Sequence, residues 1–150
     1  MSTTHTQRSA VYLILQDPAT RQIVMILRQN TGYEDGHYGL PAGHIESGES
    51  ATEAMVREAR EEIGIVLDAA DLEPVHVQQR RTPDYIYFDV YFLAQHWHGQ
   101  PRNCEPHKCG DVRWVDLSDY PANCVPFTRQ IVQEFWPQGV TYSQYGWESR

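Results

Sequence analysis

Three glutamates crowd one short segment of this chain: Glu58, Glu61 and Glu62, inside Arg57-Glu58-Ala59-Arg60-Glu61-Glu62. The segment from Ser50 to about Ile63 has no Gly or Pro and is rich in Ala, Glu, Arg and Met, which predicts a helix. At about 100° per residue, Met55, Val56, Ala59 and Ile63 share one apolar arc. Glu58 and Glu62 lie four apart along one border of that arc. Glu61 sits beside them, turned further out, and Glu53 and Arg60 fall on a solvated border. Like charges at this spacing oppose each other, and the penalty grows as water is removed. A bound dication would relieve it. Hard carboxylate oxygens, with a backbone carbonyl, suit Mg²⁺ or Mn²⁺. The alternative is a solvated helix face on which Arg57 and Arg60 pair with the glutamates.

The elements needed to position such a site are readable around it. Ser50 with Glu53 three residues on forms the capping-box pattern, and Gly64 is placed to stop the helix. The Leu40-Pro41-Ala42-Gly43 turn before the helix lets backbone approach a ligand closely. Residues 9–15, 22–28, 74–81, 85–95 and 111–115 read as strands. Residues 29–39 and 99–110 read as loops, and a second helix is predicted from about Pro126 to Trp136, ending before Pro137. The 137–150 tail is polar but carries Tyr142, Tyr145 and Trp147. Strands interspersed with two helices predict an α/β protein, a mixed sheet flanked by helices. With no linker in sight, one domain over 1–150 is expected.

The stretch Gly43-His-Ile-Glu-Ser-Gly-Glu49, seven further residues, then Arg57-Glu58-Ala59-Arg60-Glu61-Glu62-Ile63-Gly64-Ile65 matches the pattern G-x5-E-x7-R-E-U-x-E-E-x-G-U, where U is aliphatic. This resembles the Nudix box of the MutT-like hydrolases, here residues 43–65. Every fixed position is filled. Ala59 is a small choice for the first aliphatic position, and Ala42 replaces a glycine of the usual lead-in. The resemblance implies an α/β/α Nudix fold with the box as loop-helix-loop. It implies Glu58, Glu61 and Glu62 as metal ligands, joined by the Ala42 carbonyl, with Mg²⁺ or Mn²⁺ as cofactor. Arg57 and Glu49 would orient the glutamates, with Gly43 and Gly64 completing the structural network. A loop glutamate often completes such a site, and Glu105 is the candidate here.

The implied activity is hydrolysis of a phosphoanhydride in a nucleoside diphosphate linked to another moiety. A (deoxy)nucleoside triphosphate giving monophosphate and pyrophosphate is the leading expectation. Nucleotide sugars, dinucleoside polyphosphates, RNA 5′ ends and a non-catalytic nucleotide-sensing module are the alternatives. Arg28, Tyr38 and Arg81 are the substrate-contact candidates, with Arg80 sharing the strand end and Tyr33 and Trp97 as further rings that could stack on a base. His96 and His98 are expected on a solvent face, Asp84 in a turn, and Asp89 at an outward strand position.

Composition bounds the partners. Twelve Lys+Arg against twenty Asp+Glu give a formal charge of −8, and Lys108 is the sole lysine. Duplex nucleic acid wants a basic stripe, so a small nucleotide reached through a metal is the expected partner, with the protein a monomer or homodimer. There is no apolar run of membrane-spanning length, and the polar start lacks a signal-peptide core. Cys104, Cys109 and Cys124 are odd in number, and His107 between the first two lacks a second ligand pair at zinc spacing. Free thiols in a reducing, cytoplasmic setting are expected.

Overall fold

A computed structural model describes residues 6–147. Strand β1 is Thr6–Leu15, β2 Ile23–Arg28, β3 Tyr38–Gly39 and β4 Ala42–His44. Helix α1, Ala51–Ile63, follows; a 3-10 turn at Ala69–Asp71 leads into β5, Glu73–Arg81. Then come β6 (Tyr85–Ala94), β7 (Cys109–Val115), α2 (Pro126–Gln130) and β8 (Tyr142–Tyr145). Beyond Gln130 the helical path widens into a π-type turn over Ile131–Phe135.

The strands form two sheets. One is mixed and five-stranded, ordered β4-β1-β6-β5-β8; the other is antiparallel, ordered β3-β2-β7. The parallel pair β1–β6 runs in register from Thr6 opposite Tyr85 to Leu15 opposite Ala94. From Val11 to Leu15, opposite Val90 to Ala94, its residues are largely apolar on both faces because both faces are covered there. Val11, Leu13 and Leu15 turn toward Met55, Ala59 and Ile63 of α1. Ile14 and Tyr91 turn the other way, toward Ile131 and Val132. Helices thus lie on opposite sides of the strands, the α/β/α arrangement.

The expected strands are all present, with β1 starting earlier than residue 9. Three more strands have no counterpart among them. At two and three residues, β3 and β4 are too short to show a period, and they occupy the expected loop and turn around Leu40-Pro41. Strand β8 lies in the tail and pairs parallel to β5, Val77 opposite Tyr142 through Arg80 opposite Tyr145. Among the described residues, no helix is long and apolar enough to cross a membrane.

Candidate active site

The box helix is fixed at both ends. Ser50 accepts a hydrogen bond from the Glu53 N–H, and the Glu53 carboxylate accepts one from Ser50. At the other end Gly64 takes the left-handed conformation, φ 70°, and its N–H bonds the Arg60 carbonyl. Met55, Ala59 and Ile63 are wholly buried, which fixes the rotation of the helix about its axis. That rotation brings Glu58 and Glu62 to the edge of a cleft of about 920 Å³, where Glu61 and Glu105 also lie.

Backbone and arginine hold the carboxylates. Gly43, on β4, packs directly on the Glu58 side chain: a β-carbon there would overlap the Glu58 carboxylate. Glu62 accepts a hydrogen bond from the Ala42 N–H at 2.8 Å. Arg57 grips Glu49 through two nitrogens, at 2.7 and 2.9 Å. It also reaches Glu58 at 2.8 Å, Glu61 at 3.2 Å and the His44 carbonyl at 3.1 Å. One guanidinium therefore ties the loop before the helix to two of the box glutamates. Its hydrogen bonds hold the Glu49 carboxyl down at about 2.

The two inner glutamates shift in the same direction. Burial raises the Glu58 carboxyl above its ordinary range, against the pull of Arg57, and Glu61 and Glu105 add to the rise. Burial also raises Glu62 well above that range, and the neighbouring Glu58 charge pushes it further. Glu58, Glu61, Glu62 and Glu105 thus crowd one cleft, which Glu46 and Asp84 also line. Among the described residues, no three His, Cys, Asp or Glu groups close tightly enough to cage an ion by themselves. Carboxylates gathered at one cleft, two of them raised by burial and by neighbouring carboxylate charge, present the hard donor oxygens that a divalent cation takes.

Arg28, Tyr33, Arg80, Asp84, Tyr85, Tyr87 and Phe127 also line the cleft. Arg28 ends β2 and donates to the Tyr33 carbonyl at 2.8 Å and the Thr31 hydroxyl at 3.2 Å, both neutral acceptors. Lys108 stands at the cleft beside Glu105. Arg80 is buried, at 4% exposure, and pairs with the fully buried Asp89 at 2.7 Å. Burial pushes the Asp89 carboxyl up, and the guanidinium opposes that rise.

Several expected positions need correction. Tyr38 does not line the cleft: it is 6% exposed in the core, donates to Asp111 at 2.6 Å and is covered by Arg113. Pairing in β3 turns its ring inward. Arg81 does not line the cleft either, because strand alternation gives that face to Arg80. Asp89 is not outward, since it shares the inner face with Tyr91 and answers the Arg80 charge. A charged residue in a strand reads as solvated unless its buried partner is known, and that partner is on another strand. Tyr33 is at the cleft, whereas Trp97 packs near Trp114. Asp84 is in the β5–β6 turn and His96 and His98 are exposed. All three cysteines are free thiols.

Comparison with known proteins identifies the family of this fold. The NUDIX domain family model matches residues 6–135, so the chain belongs to the Nudix family. It is 29% identical over 100 residues to an ADP-ribose pyrophosphatase of Methanocaldococcus jannaschii, covering 67% of this chain and 57% of that protein. It is 30% identical over 116 residues to an NAD-capped RNA hydrolase of Pseudomonas aeruginosa, covering 76% of this chain and 38% of that one. The chain thus spans little more than half, or less, of these relatives. A crystal structure of a MutT NUDIX hydrolase from Burkholderia pseudomallei superposes with a TM-score of 0.77 at 25% identity, covering 86% of this chain and 98% of that one.

Proposed function

We propose that this chain is a divalent-metal-dependent pyrophosphohydrolase acting on a nucleoside diphosphate linked to another moiety, with a (deoxy)nucleoside triphosphate as leading substrate. The observation that carries this reading is one cleft lined together by the carboxylates Glu58, Glu61, Glu62 and Glu105, by the cations of Arg28 and Lys108, and by the rings of Tyr33, Tyr85, Tyr87 and Phe127. A nucleotide has complementary parts, a charged phosphate chain and a flat base.

Glu58, Glu61, Glu62 and the Ala42 carbonyl would hold Mg²⁺ or Mn²⁺, which when bound supplies charge neutralisation at phosphate and a more acidic water. Arg57 and Glu49 position the glutamates rather than touch substrate. Arg28 and Lys108 neutralise phosphate oxygens. Glu105 takes the proton from the attacking water at its carboxylate. Water attacks phosphorus, the anhydride bond breaks, and the leaving phosphate carries away the electron pair.

The test is phosphate and pyrophosphate release from a set of nucleotides in chelator, Mg²⁺ and Mn²⁺. Hydrolysis should vanish in chelator and return with either ion. Full activity in metal-free buffer would contradict the metal reading.

A further inference from the structure

Arg80 is a buried charged group at the cleft, set among aromatic rings and paired with a carboxylate of its own. Its Nε donates to Asp89 Oδ2 at 2.7 Å and its Nη2 to Asp89 Oδ1 at 3.3 Å, a side-on fork that fixes the plane of the guanidinium. The opposite edge, Nη1 and Nη2, meets only two phenols, Tyr33 and Tyr12, each at 3.4 Å. Those are long contacts to weak, neutral acceptors. Both phenols also carry a hydrogen and can serve as donors instead. The guanidinium lies over the rings of Tyr87 at 4.2 Å and Phe127 at 4.7 Å. Tyr33, 43% exposed, stands over it from the loop.

Charge decides what this edge would take. Asp89 already balances Arg80, so the pair offers an anion little net attraction, whereas Arg28 has no carboxylate partner among the described ion pairs. The edge of Arg80 turned away from Asp89 is buried but capped only by these two long phenol contacts, one of them from the exposed loop residue Tyr33, and a base that displaced them would meet two parallel donors in a ring-lined slot. We propose that Arg80, held by Asp89, is the base-reading residue of the cleft and selects a purine whose edge presents two acceptors, the O6 and N7 of a guanine-type base. Guanidinium pairs bidentately with that edge. Adenine puts an N6 donor where O6 stands, and a donor-only side chain meets it with like polarity. Asp89 acts through Arg80 and is a positioning residue.

This inference rests on the pyrophosphohydrolase reading for its substrate but not for its site, and the test separates the two. Hydrolysis is measured as kcat/KM for guanosine, inosine, 2-aminopurine riboside and adenosine triphosphates with Mg²⁺. In parallel, binding of the corresponding monophosphates is followed by tyrosine and tryptophan fluorescence. Guanosine and inosine, which share O6 and N7, should exceed adenosine and 2-aminopurine riboside by about tenfold or more, the scale of one bidentate contact. Arg80→Ala would strand the Asp89 charge and risks unfolding. The informative variant is therefore Arg80→Gln with Asp89→Asn, a neutral pair whose amide matches adenine, checked by its melting curve. It should lose the guanine preference by about tenfold or shift it toward adenine, with Arg80→Lys losing it as well. Hydrolysis with no base preference, or an equal loss on every base in the variants, overturns the proposal while leaving the pyrophosphohydrolase reading intact. Guanine-selective binding with no hydrolysis upholds the proposal and overturns that reading. Neither binding nor hydrolysis overturns both.

Discussion

Glu62 joins three facts that pull against one another: it is acidic, it lies against the protein body, and Glu58 stands one turn before it. Its carboxyl is raised well above the usual range by burial first and by Glu58 second. A raised folded-state value means that the folded protein holds a proton the unfolded chain has released. Its contribution to stability is therefore present below the ordinary carboxylate value and is lost as pH rises through the folded value. In chelator, the wild type should lose melting temperature relative to Glu62→Gln as pH climbs from about 4.5 into the neutral range, and saturating Mg²⁺ should cancel the difference. Parallel melting curves for the two proteins across that range would show that Glu62 is solvated. Glu49 has the opposite sign. Arg57 holds it at about 2, so its contribution is present above the ordinary value and fades as pH falls toward 2.

At the scale of elements, two glycines of the box do different work and should fail differently. Gly64 closes α1 at φ 70°, and a β-carbon there would also press on Arg102 and Cys104. Gly64→Ala should cost about 1–2 kcal/mol of stability for the left-handed backbone alone, measured by urea denaturation. Gly43 needs no unusual φ but leaves room for the Glu58 carboxylate. Gly43→Ala should displace that side chain, cutting turnover about tenfold or more with a smaller loss of stability. Equal effects of the two substitutions on both measurements would refute the distinction. The box helix was legible in the sequence because its cap, its apolar arc and its glycine stop all report locally. The same holds for the gathering of Glu58, Glu61 and Glu62. Strands β3, β4 and β8 were not legible, since two to four residues carry no period and their partners are distant. Asp89 was expected outward, and Arg81 was preferred to Arg80, for a related reason: each looks solvated until β5 and β6 are paired. Tyr38 misled because a loop tyrosine and a core tyrosine have the same local sequence.

For the molecule as a whole, a formal charge of −8 and an anionic substrate are reconciled by placement. Helix α1 is locked against the sheets by Met55, Ala59 and Ile63, so its carboxylates line the same cleft as Arg28, Lys108 and the aromatic rings. Exposed charges are screened over about 8 Å at physiological salt. Added salt should therefore raise KM for a nucleotide, through Arg28 and Lys108, more than it lowers kcat at saturating Mg²⁺. A kcat that falls with salt at unchanged KM would count against phosphate contacts by these cations. The central claim, that the α1 carboxylates at the cleft run a metal-dependent hydrolysis, is tested most directly by turnover of Glu58→Gln, Glu62→Gln and Glu53→Gln at saturating Mg²⁺. Glu53 lies on the same helix but is exposed and serves the cap. The account predicts losses of about a hundredfold or more at 58 and 62 and little change at 53. Similar small losses at all three positions would mean that the carboxylates only pair with neighbouring arginines, and would contradict it.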